Sequence, residues 1–459
     1  MIVVSHRGPY RFEAIGDGSY ASERGAGGVA SALGAVVERS DRDVTWIAAA
    51  ISDDDRQAAA SGSLDDLDID LRLVALDHEL HAMHYDVVSN SILWFLFHDL
   101  FDRTRRPRFD RHFREAWDAY RDVNFIFAEA AAEAASDRDI VLVNDYQLSL
   151  TGARLRELRP DLRIVNFTHT PFCSADQLRA LPTDAATELC AALAGDPAGF
   201  HTERWARAYA DCARDVLGAG AAIAPAFAAS LGPDVDALLA VAEGAEARDA
   251  ARSLDDAVGD RLVIARSDRI EPSKNIVRGF LAYDRLLEAR PGLRGRVVFV
   301  AMLYGSRQSL PEYLAYANEV EQVVARVNDR WATQAWTPIL LDERDDFPRS
   351  IAAMQRYDVL VVNPIKDGLN LVAKEGPAVN QRDGLLCLSR EAGAWEELQD
   401  AAIAMHPYDL EDAAVALDTA LATPLDERAT IAKQLRTLAT ARTPSDWVED
   451  LVAQARDER

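Results

Sequence analysis

Lys366-Asp367-Gly368-Leu369-Asn370-Leu371-Val372-Ala373-Lys374-Glu375 follows the apolar run from Val359 to Val362. The run reads as a buried strand, and the residues after it as a turn that opens a helix carrying on through Ala378. A strand, a glycine turn and a helix N-terminus make an anion site, because the first backbone N–H groups of a helix have no internal partner. Asp367 and Glu375 stand about two helical turns apart, so they can reach two different parts of one extended ligand. A plainer reading of the same residues is a capped junction. Asp367 is then the N-cap, and Lys374 and Glu375 are solvated helix surface.

A second basic element lies upstream. Leu262 to Ala265 reads as another buried strand and runs into Arg266-Ser267-Asp268-Arg269-Ile270-Glu271-Pro272-Ser273-Lys274-Asn275. Three cations fall together here, in a chain of net charge −25. Ligands of open α/β sheets sit beyond the carboxyl ends of strands. One strand end offering cations and another offering amides suit a diphosphate.

The rest of the chain sets limits. Its 459 residues predict two or three domains, and 27% charged against 49% hydrophobic residues is ordinary soluble composition. The acidic pI of about 4.8 argues against nucleic acid and anionic membranes as partners. Cys173, Cys190, Cys212 and Cys387 form no CxxC pair and no metal spacing, so reduced thiols and a cytoplasmic location are expected. Met1 to Ser5 reads as a short strand rather than a signal peptide, and no apolar run approaches a membrane span.

Taken in order, strands are expected at Val3–Ser5, Val44–Ile47, Asp139–Val143 and Leu162–Phe167, with a long amphipathic helix over Phe109–Ala135. Gly25-Ala26-Gly27 with Ala30 only loosely echoes a dinucleotide fingerprint. Gly27 and Gly28 instead let backbone approach a ligand at the start of a helix from Val29 to Val37. The aromatic stretch from Tyr85 to Trp117 reads mostly as core, although Tyr85 and Trp94 also suit a sugar pocket. Asp145 and His169 stand at two polar strand exits. Ala219–Ala229, around Pro225, reads as the crossover between two halves. From Leu262 strand and helix alternate regularly, which means a parallel sheet covered on both faces.

With both blocks in view, Arg269-Ile270-Glu271-Pro272-Ser273-Lys274 and Lys366 to Glu375 resemble trehalose-6-phosphate synthases. These are retaining glycosyltransferases of the GT-B fold, an α/β architecture of two facing Rossmann-like domains with a cleft between them. The resemblance runs from Val4-Ser5-His6-Arg7 to Trp447, and is most specific at Asp367–Glu375 and Ser389–Leu398. It implies an acceptor-binding domain over 1–222, a nucleotide-sugar-binding domain over 223–440, and a C-terminal helix over 441–459 returning to the first domain.

The resemblance also implies roles. Arg269 and Lys274 grip the donor diphosphate, and Gly28 offers it an amide. Asp367 and the amides of Gly368, Leu369, Asn370 and Leu371 hold the donor glucose and phosphate. Glu375 binds the donor ribose, and His169 contacts the donor glucose. Arg7, Tyr85 and Arg307 hold the phosphate of glucose 6-phosphate, and Trp46, Trp94, Asp145 and Tyr146 line the acceptor sugar. No cofactor and no metal are implied, since Arg269 and Lys274 take a metal's place. A homo-oligomer is compatible with the resemblance.

Three departures stand out. Asn144-Asp145-Tyr146-Gln147 replaces the usual His-Asp-Tyr-His, Glu271-Pro272 replaces Asp-Tyr, and Lys274-Asn275 replaces Lys-Gly. The last, with Val379-Asn380-Gln381-Arg382-Asp383, resembles a branch that contains validoxylamine phosphate synthase and uses a GDP-linked cyclitol. The expected activity is synthesis of trehalose 6-phosphate from a nucleotide-glucose and glucose 6-phosphate, with GDP-glucose slightly ahead of UDP-glucose. The alternatives are transfer to glycerol 3-phosphate or an aminocyclitol phosphate, and a sugar-phosphate sensor without catalysis.

Overall fold

Apolar runs without alternation become strands covered on both faces, and this chain uses them in two separate sheets. A computed structural model describes residues 1–15, 19–24, 34, 43–64, 67–307 and 309–456. The chain divides into one unit of Met1–Leu231 with Pro444–Arg459 and a second of Gly232–Thr443. No helix among the described residues is long and apolar enough to cross a membrane.

The strands of the first unit are β1 (Ile2–Ser5), β2 (Tyr10–Ala14), β3 (Tyr20–Arg24), β4 (Thr45–Ala50), β5 (Asp70–Ala75), β6 (Ile140–Asn144), β7 (Arg163–Thr168), β8 (Ala198–Phe200) and β9 (Ala226–Ala228). All but β2 and β3 form a parallel sheet ordered β5-β4-β1-β6-β7-β8-β9; β2 and β3 pair with each other as an antiparallel ribbon. Ile2 and Val4 of β1 pack in one cluster with Ile47, Val143 and Ile164 from neighbouring strands and Val123 and Phe127 from a helix.

That helix, Arg111–Ala134, starts where the Asp110 carboxylate accepts from the Phe113 amide at 3.2 Å. It buries Phe113, Trp117, Tyr120, Val123, Phe127 and Ala131, a stripe of helical period. Asn124 is polar and wholly buried, and it is satisfied on every side. Its Nδ2 donates to the Tyr120 and Gln147 carbonyls at 2.8 and 3.1 Å. Its Oδ1 accepts from the Leu150 amide and Thr151 Oγ1 at 2.9 and 3.0 Å. These bonds fix the loop that carries Asp145 and Tyr146.

The second unit holds β10 (Leu262–Arg269), β11 (Val297–Tyr304), β12 (Ile339–Asp342), β13 (Val359–Val362), β14 (Leu385–Ser389) and β15 (Ile403–Met405), parallel in the order β12-β11-β10-β13-β14-β15. β10 and β11 stay in register from Leu262↔Val297 to Arg269↔Tyr304.

Several expectations change. β10 does not stop at Ala265. Arg266 and Asp268 are polar but buried, because each neutralises the other within the strand. The supposed crossover around Pro225 instead supplies β9, which pairs with β8, and the units part at Leu231–Gly232 rather than at 222–223. A Cβ on Gly232 would lie 1.8 Å from the Arg442 carbonyl oxygen, so only glycine lets these two passes of the chain touch. The return to the first unit comes at Pro444, not 441. In the helix that starts there, Trp447 is fully buried, its ring 5.1 Å from that of Phe167. The acidic stretch after Val235 forms two helices, Val235–Ala242 and Ala245–Val258. Gly28 and the expected helix Val29–Val37, Gly34 apart, lie outside the described residues.

Candidate active site

In the second unit the carboxyl ends of β10 and β13 bring the two sequence blocks together. Pro272 opens a single 3₁₀ turn, Pro272–Lys274, and the Ser273 carbonyl accepts from the Ile365 amide at 2.8 Å. Asn275 closes that turn at φ 57°, in the left-handed region that glycine and asparagine tolerate best. This is why Asn can stand where the resembling family has glycine. Its amide donates to the Asn363 and Pro407 carbonyls at 3.0 and 2.7 Å, tying three loops.

Across this junction Lys274 Nζ sits 2.6 Å from Asp367 Oδ2, with both side chains mostly buried. Burial works against the Lys274 ammonium, but Asp367, Asp268 and Glu271 outweigh it and hold its pKa above the usual value. Asp367 also accepts from Asn370 Nδ2 at 3.2 Å.

Asp367 is not a helix cap. The helix begins later, at Val372, behind Leu371 and without a side-chain cap. The amides of Leu369, Asn370 and Leu371 donate to no group among the described residues. Asn370 has φ 72°, in the left-handed region that asparagine tolerates well, which tightens the loop here. The loop is clamped from behind. Asp367 N donates to Glu391 O at 3.1 Å, Gly393 N to Asp367 O at 3.1 Å, and Ala394 N to Leu369 O at 2.8 Å. A Cβ at Gly393 would stand 1.9 Å from the Gly368 oxygen, so a glycine is required there.

Lys374 and Glu375 are not solvated surface. Lys374 is buried and bonds both carboxylate oxygens of Glu397, at 2.8 and 2.9 Å, which anchors the helix. Glu375 is half-buried, and its carboxyl finds no partner among the described residues. Burial pushes its pKa up to about 7.

The cations of the basic cluster differ in exposure. Arg266 is 1% exposed. It holds Asp268 Oδ2 through Nε and Nη2 at 3.1 and 2.7 Å, and its Nη2 also donates to the Lys274 carbonyl at 3.0 Å. Arg269 is 41% exposed at its side chain, with Nε 3.2 Å from Glu271 Oε1. Arg307, in the loop after β11, is 8% exposed at its side chain. Its Nη1 lies 3.4 Å from the same Glu271 oxygen and donates to Tyr313 OH at 2.6 Å. Burial pushes the Glu271 carboxyl up, but Arg269, Arg307 and Lys274 outweigh it and hold it below the ordinary range. The sequence assigns Glu271 no role of its own; a carboxylate between Arg269 and Lys274 at a strand exit is the signal that points to it.

The first unit gathers another set. Arg7, directly after β1, donates from Nη2 to Tyr85 OH at 3.2 Å. Tyr85 lies on a run of π-helix, Met83–Leu93, where Ser89 and Ser91 hydroxyls each reach the carbonyl five residues back at 2.8 Å. π-helical turns often mark functional sites. The Tyr85 ring stacks on His6 with centroids 4.5 Å apart. His6 Nε2 meets His81 Nε2 at 3.2 Å, and His84 lies fully buried beside them. Burial first, then the neighbouring imidazoles and, for His6, Arg7, disfavour the charged forms of His6 and His84; the His84 pKa falls to about 3.

Asp145 has φ 73°, and its Oδ1 accepts from the His169 amide at 3.1 Å. Both His169 ring nitrogens are committed, Nδ1 to His201 at 3.1 Å and Nε2 to Asn144 Oδ1 at 3.2 Å. Trp46 and Tyr146 are each 1% exposed. The Trp46 indole donates to Ser5 Oγ at 2.8 Å and the Tyr146 hydroxyl to Asn90 Oδ1 at 2.9 Å. Trp94 is 7% exposed and stacks on His98 at 3.9 Å. These three rings are buried, whereas Arg7, Tyr85 and Asp145 are at least partly exposed. Among the described residues no group of three or more His, Cys, Asp or Glu is placed to hold a metal ion.

Known proteins share this arrangement of sequence and fold. The alpha,alpha-trehalose-phosphate synthase (UDP-forming) 1 of Arabidopsis thaliana is 30% identical over 471 residues, which take in 100% of this chain and 50% of that protein. The chain thus spans about half the length of that relative. Among solved structures, the E. coli trehalose-6-phosphate protein bound with UDP-2-fluoro glucose aligns with TM-score 0.83 at 26% identity, over 100% of this chain and 99% of that one. The UDP-forming synthase of Burkholderia xenovorans in complex with glucose-6-phosphate gives TM-score 0.83 and 26% identity, over 99% of each chain. These neighbours carry the GT-B fold, and the two parallel sheets are its two Rossmann-like halves. A family model described as Glycosyltransferase family 20 matches residues 1–457, and with strands, loops and both sequence blocks in agreement, the chain belongs to glycosyltransferase family 20.

Proposed function

We propose that this chain transfers glucose from a nucleotide-glucose to glucose 6-phosphate with retention of configuration, forming trehalose 6-phosphate. The observation that carries the reading is the 2.6 Å contact between Lys274 and Asp367. It joins a cationic strand end to a loop with unused amides, the chemistry a diphosphate and sugar hydroxyls need. The expected lead of GDP-glucose finds no support, because the relatives are named UDP-forming. We infer UDP-glucose as the donor.

In this reading Arg269 and Lys274 hold the diphosphate, and Asp367 with the amides of Leu369, Asn370 and Leu371 holds the glucose. Glu375 takes the ribose hydroxyls. Arg7, Tyr85 and Arg307 hold the acceptor phosphate. The bond from the anomeric carbon to the diphosphate breaks, and the acceptor hydroxyl attacks on the same face. Its proton passes to the departing diphosphate oxygen. No side chain has to act as nucleophile; the protein positions the reactants and stabilises charge that builds on the leaving group.

The test is release of nucleotide from UDP-, GDP- or ADP-glucose against glucose 6-phosphate, glycerol 3-phosphate and an aminocyclitol phosphate. The reading requires UDP release that depends on glucose 6-phosphate. Tight sugar-phosphate binding with no release from any pair would leave a sensor.

A further inference from the structure

One buried carboxylate stands between the two cations that the proposed function assigns to different substrates. Glu271 is 0% exposed, yet Oε1 accepts from Ser306 Oγ at 3.0 Å and forms ion pairs with Arg269 Nε at 3.2 Å and Arg307 Nη1 at 3.4 Å. Its other oxygen, Oε2, is buried without a hydrogen-bond partner among the described residues. A carboxylate kept only for stability would have both oxygens satisfied, since an unpaired buried acceptor is costly. The backbone adds a second sign. Arg307 has φ 45°, a strained conformation for a residue other than glycine, and such strain persists where the surroundings hold a side chain for function.

The geometry follows from the strands. Arg269 ends β10 and pairs in register with Tyr304, which ends β11. Arg307 follows three residues after Tyr304. Two guanidinium groups at the ends of adjacent strands, with Lys274 nearby, repel one another. Between them only a buried anion can hold both at hydrogen-bond distance.

We propose that Glu271 is a positioning residue that presets Arg269 for the donor diphosphate and Arg307 for the acceptor phosphate as one unit. This rests on the function proposed above. Glu271 is fully buried, so its effect must pass through the two arginines.

The experiment is a pair of double-mutant cycles on the full chain, reading KM for UDP-glucose and for glucose 6-phosphate. Glu271→Gln keeps the shape and removes the charge. It is expected to raise both KM values by about tenfold, with a smaller fall in kcat, as for losing a charge-assisted hydrogen bond. Added to Arg269→Ala it should raise donor KM no further, and added to Arg307→Ala it should raise acceptor KM no further. Glu271→Asp keeps the charge on a shorter stem and should give intermediate values for both substrates. It carries the test should Glu271→Gln fail to fold.

A fall in kcat with both KM values unchanged, or additive effects in the cycles, overturns the proposal and leaves a structural carboxylate. If Arg269→Ala and Arg307→Ala themselves leave donor and acceptor KM untouched, the assignment of those arginines to the substrates fails instead, and the proposal falls with it.

Discussion

Lys274 Nζ and Asp367 Oδ2 lie 2.6 Å apart, although 93 residues separate them in the chain. In the function proposed above, a diphosphate and a sugar compete for this mostly buried charge pair. Removal of either basic residue of the donor grip is expected to reach the transition state. Arg269→Ala or Lys274→Ala should lower kcat by ~10²–10³, the loss that follows removal of one preorganised charge-stabilising donor. Arg252→Ala, in an exposed helical pair with Asp249, is the control for net charge and should stay within a few-fold. Equal losses in all three would mean general attraction of the anionic donor.

Arg266 calls for a different outcome. It is buried against Asp268, so Arg266→Met leaves an unpaired carboxylate inside β10. The expected cost is about 3–5 kcal/mol in a denaturant melt, the range for breaking a buried pair. Replacing Asp268 with Asn in the same chain should recover part of it. A melt midpoint unchanged by Arg266→Met would contradict the buried-pair account.

Donor affinity should depend on pH through Glu375. Burial raises its pKa to about 7. Below that pH the free carboxyl is protonated, and only above it is it a full acceptor for ribose hydroxyls. Affinity for UDP should therefore rise between pH 6 and 8, and Glu375→Gln should bind more weakly and flatten the profile. Titration calorimetry at several pH values reads this directly; an unchanged slope in the variant removes Glu375 from the ribose.

Stability should respond to pH through His84. Its folded pKa, about 3, lies below the unfolded value of 6.5. Between those values the unfolded chain binds the extra proton, so stability is full above pH 6.5 and is lost as pH falls toward 3. At pH 5 the loss is about 2 kcal/mol relative to pH 7.5. In urea melts across that range, His84→Phe should show a shallower fall than the parent, and parallel curves would show that His84 is charged in the fold.

The parts of this site that the sequence makes legible are those where chemistry is local. Asp367 to Glu375 and Arg269 to Lys274 each sit at the end of an apolar run, and their pairing follows from parallel strands. Burial over long range is harder to read. Arg266 looks like one more loop cation until Asp268, two residues on, folds inward with it. The partners of Trp46 and Tyr146 are equally distant, since their polar atoms go to Ser5 and Asn90, 41 and 56 residues away. Glu271 is hidden for the same reason, since Arg307 and Ser306 arrive from the neighbouring strand. The edge strand at Ala226–Ala228 is only three residues long, Ala-Phe-Ala, too short to carry a pattern of its own. It exists because β8 offers it an edge.

The most direct test of the central claim is the product itself. UDP-glucose and glucose 6-phosphate are incubated with the protein, the product is dephosphorylated, and its linkage is read by NMR. The account predicts UDP release only in the presence of glucose 6-phosphate and a non-reducing disaccharide with both anomeric carbons in the α configuration. A reducing disaccharide, a β linkage, or UDP release indifferent to glucose 6-phosphate would contradict it.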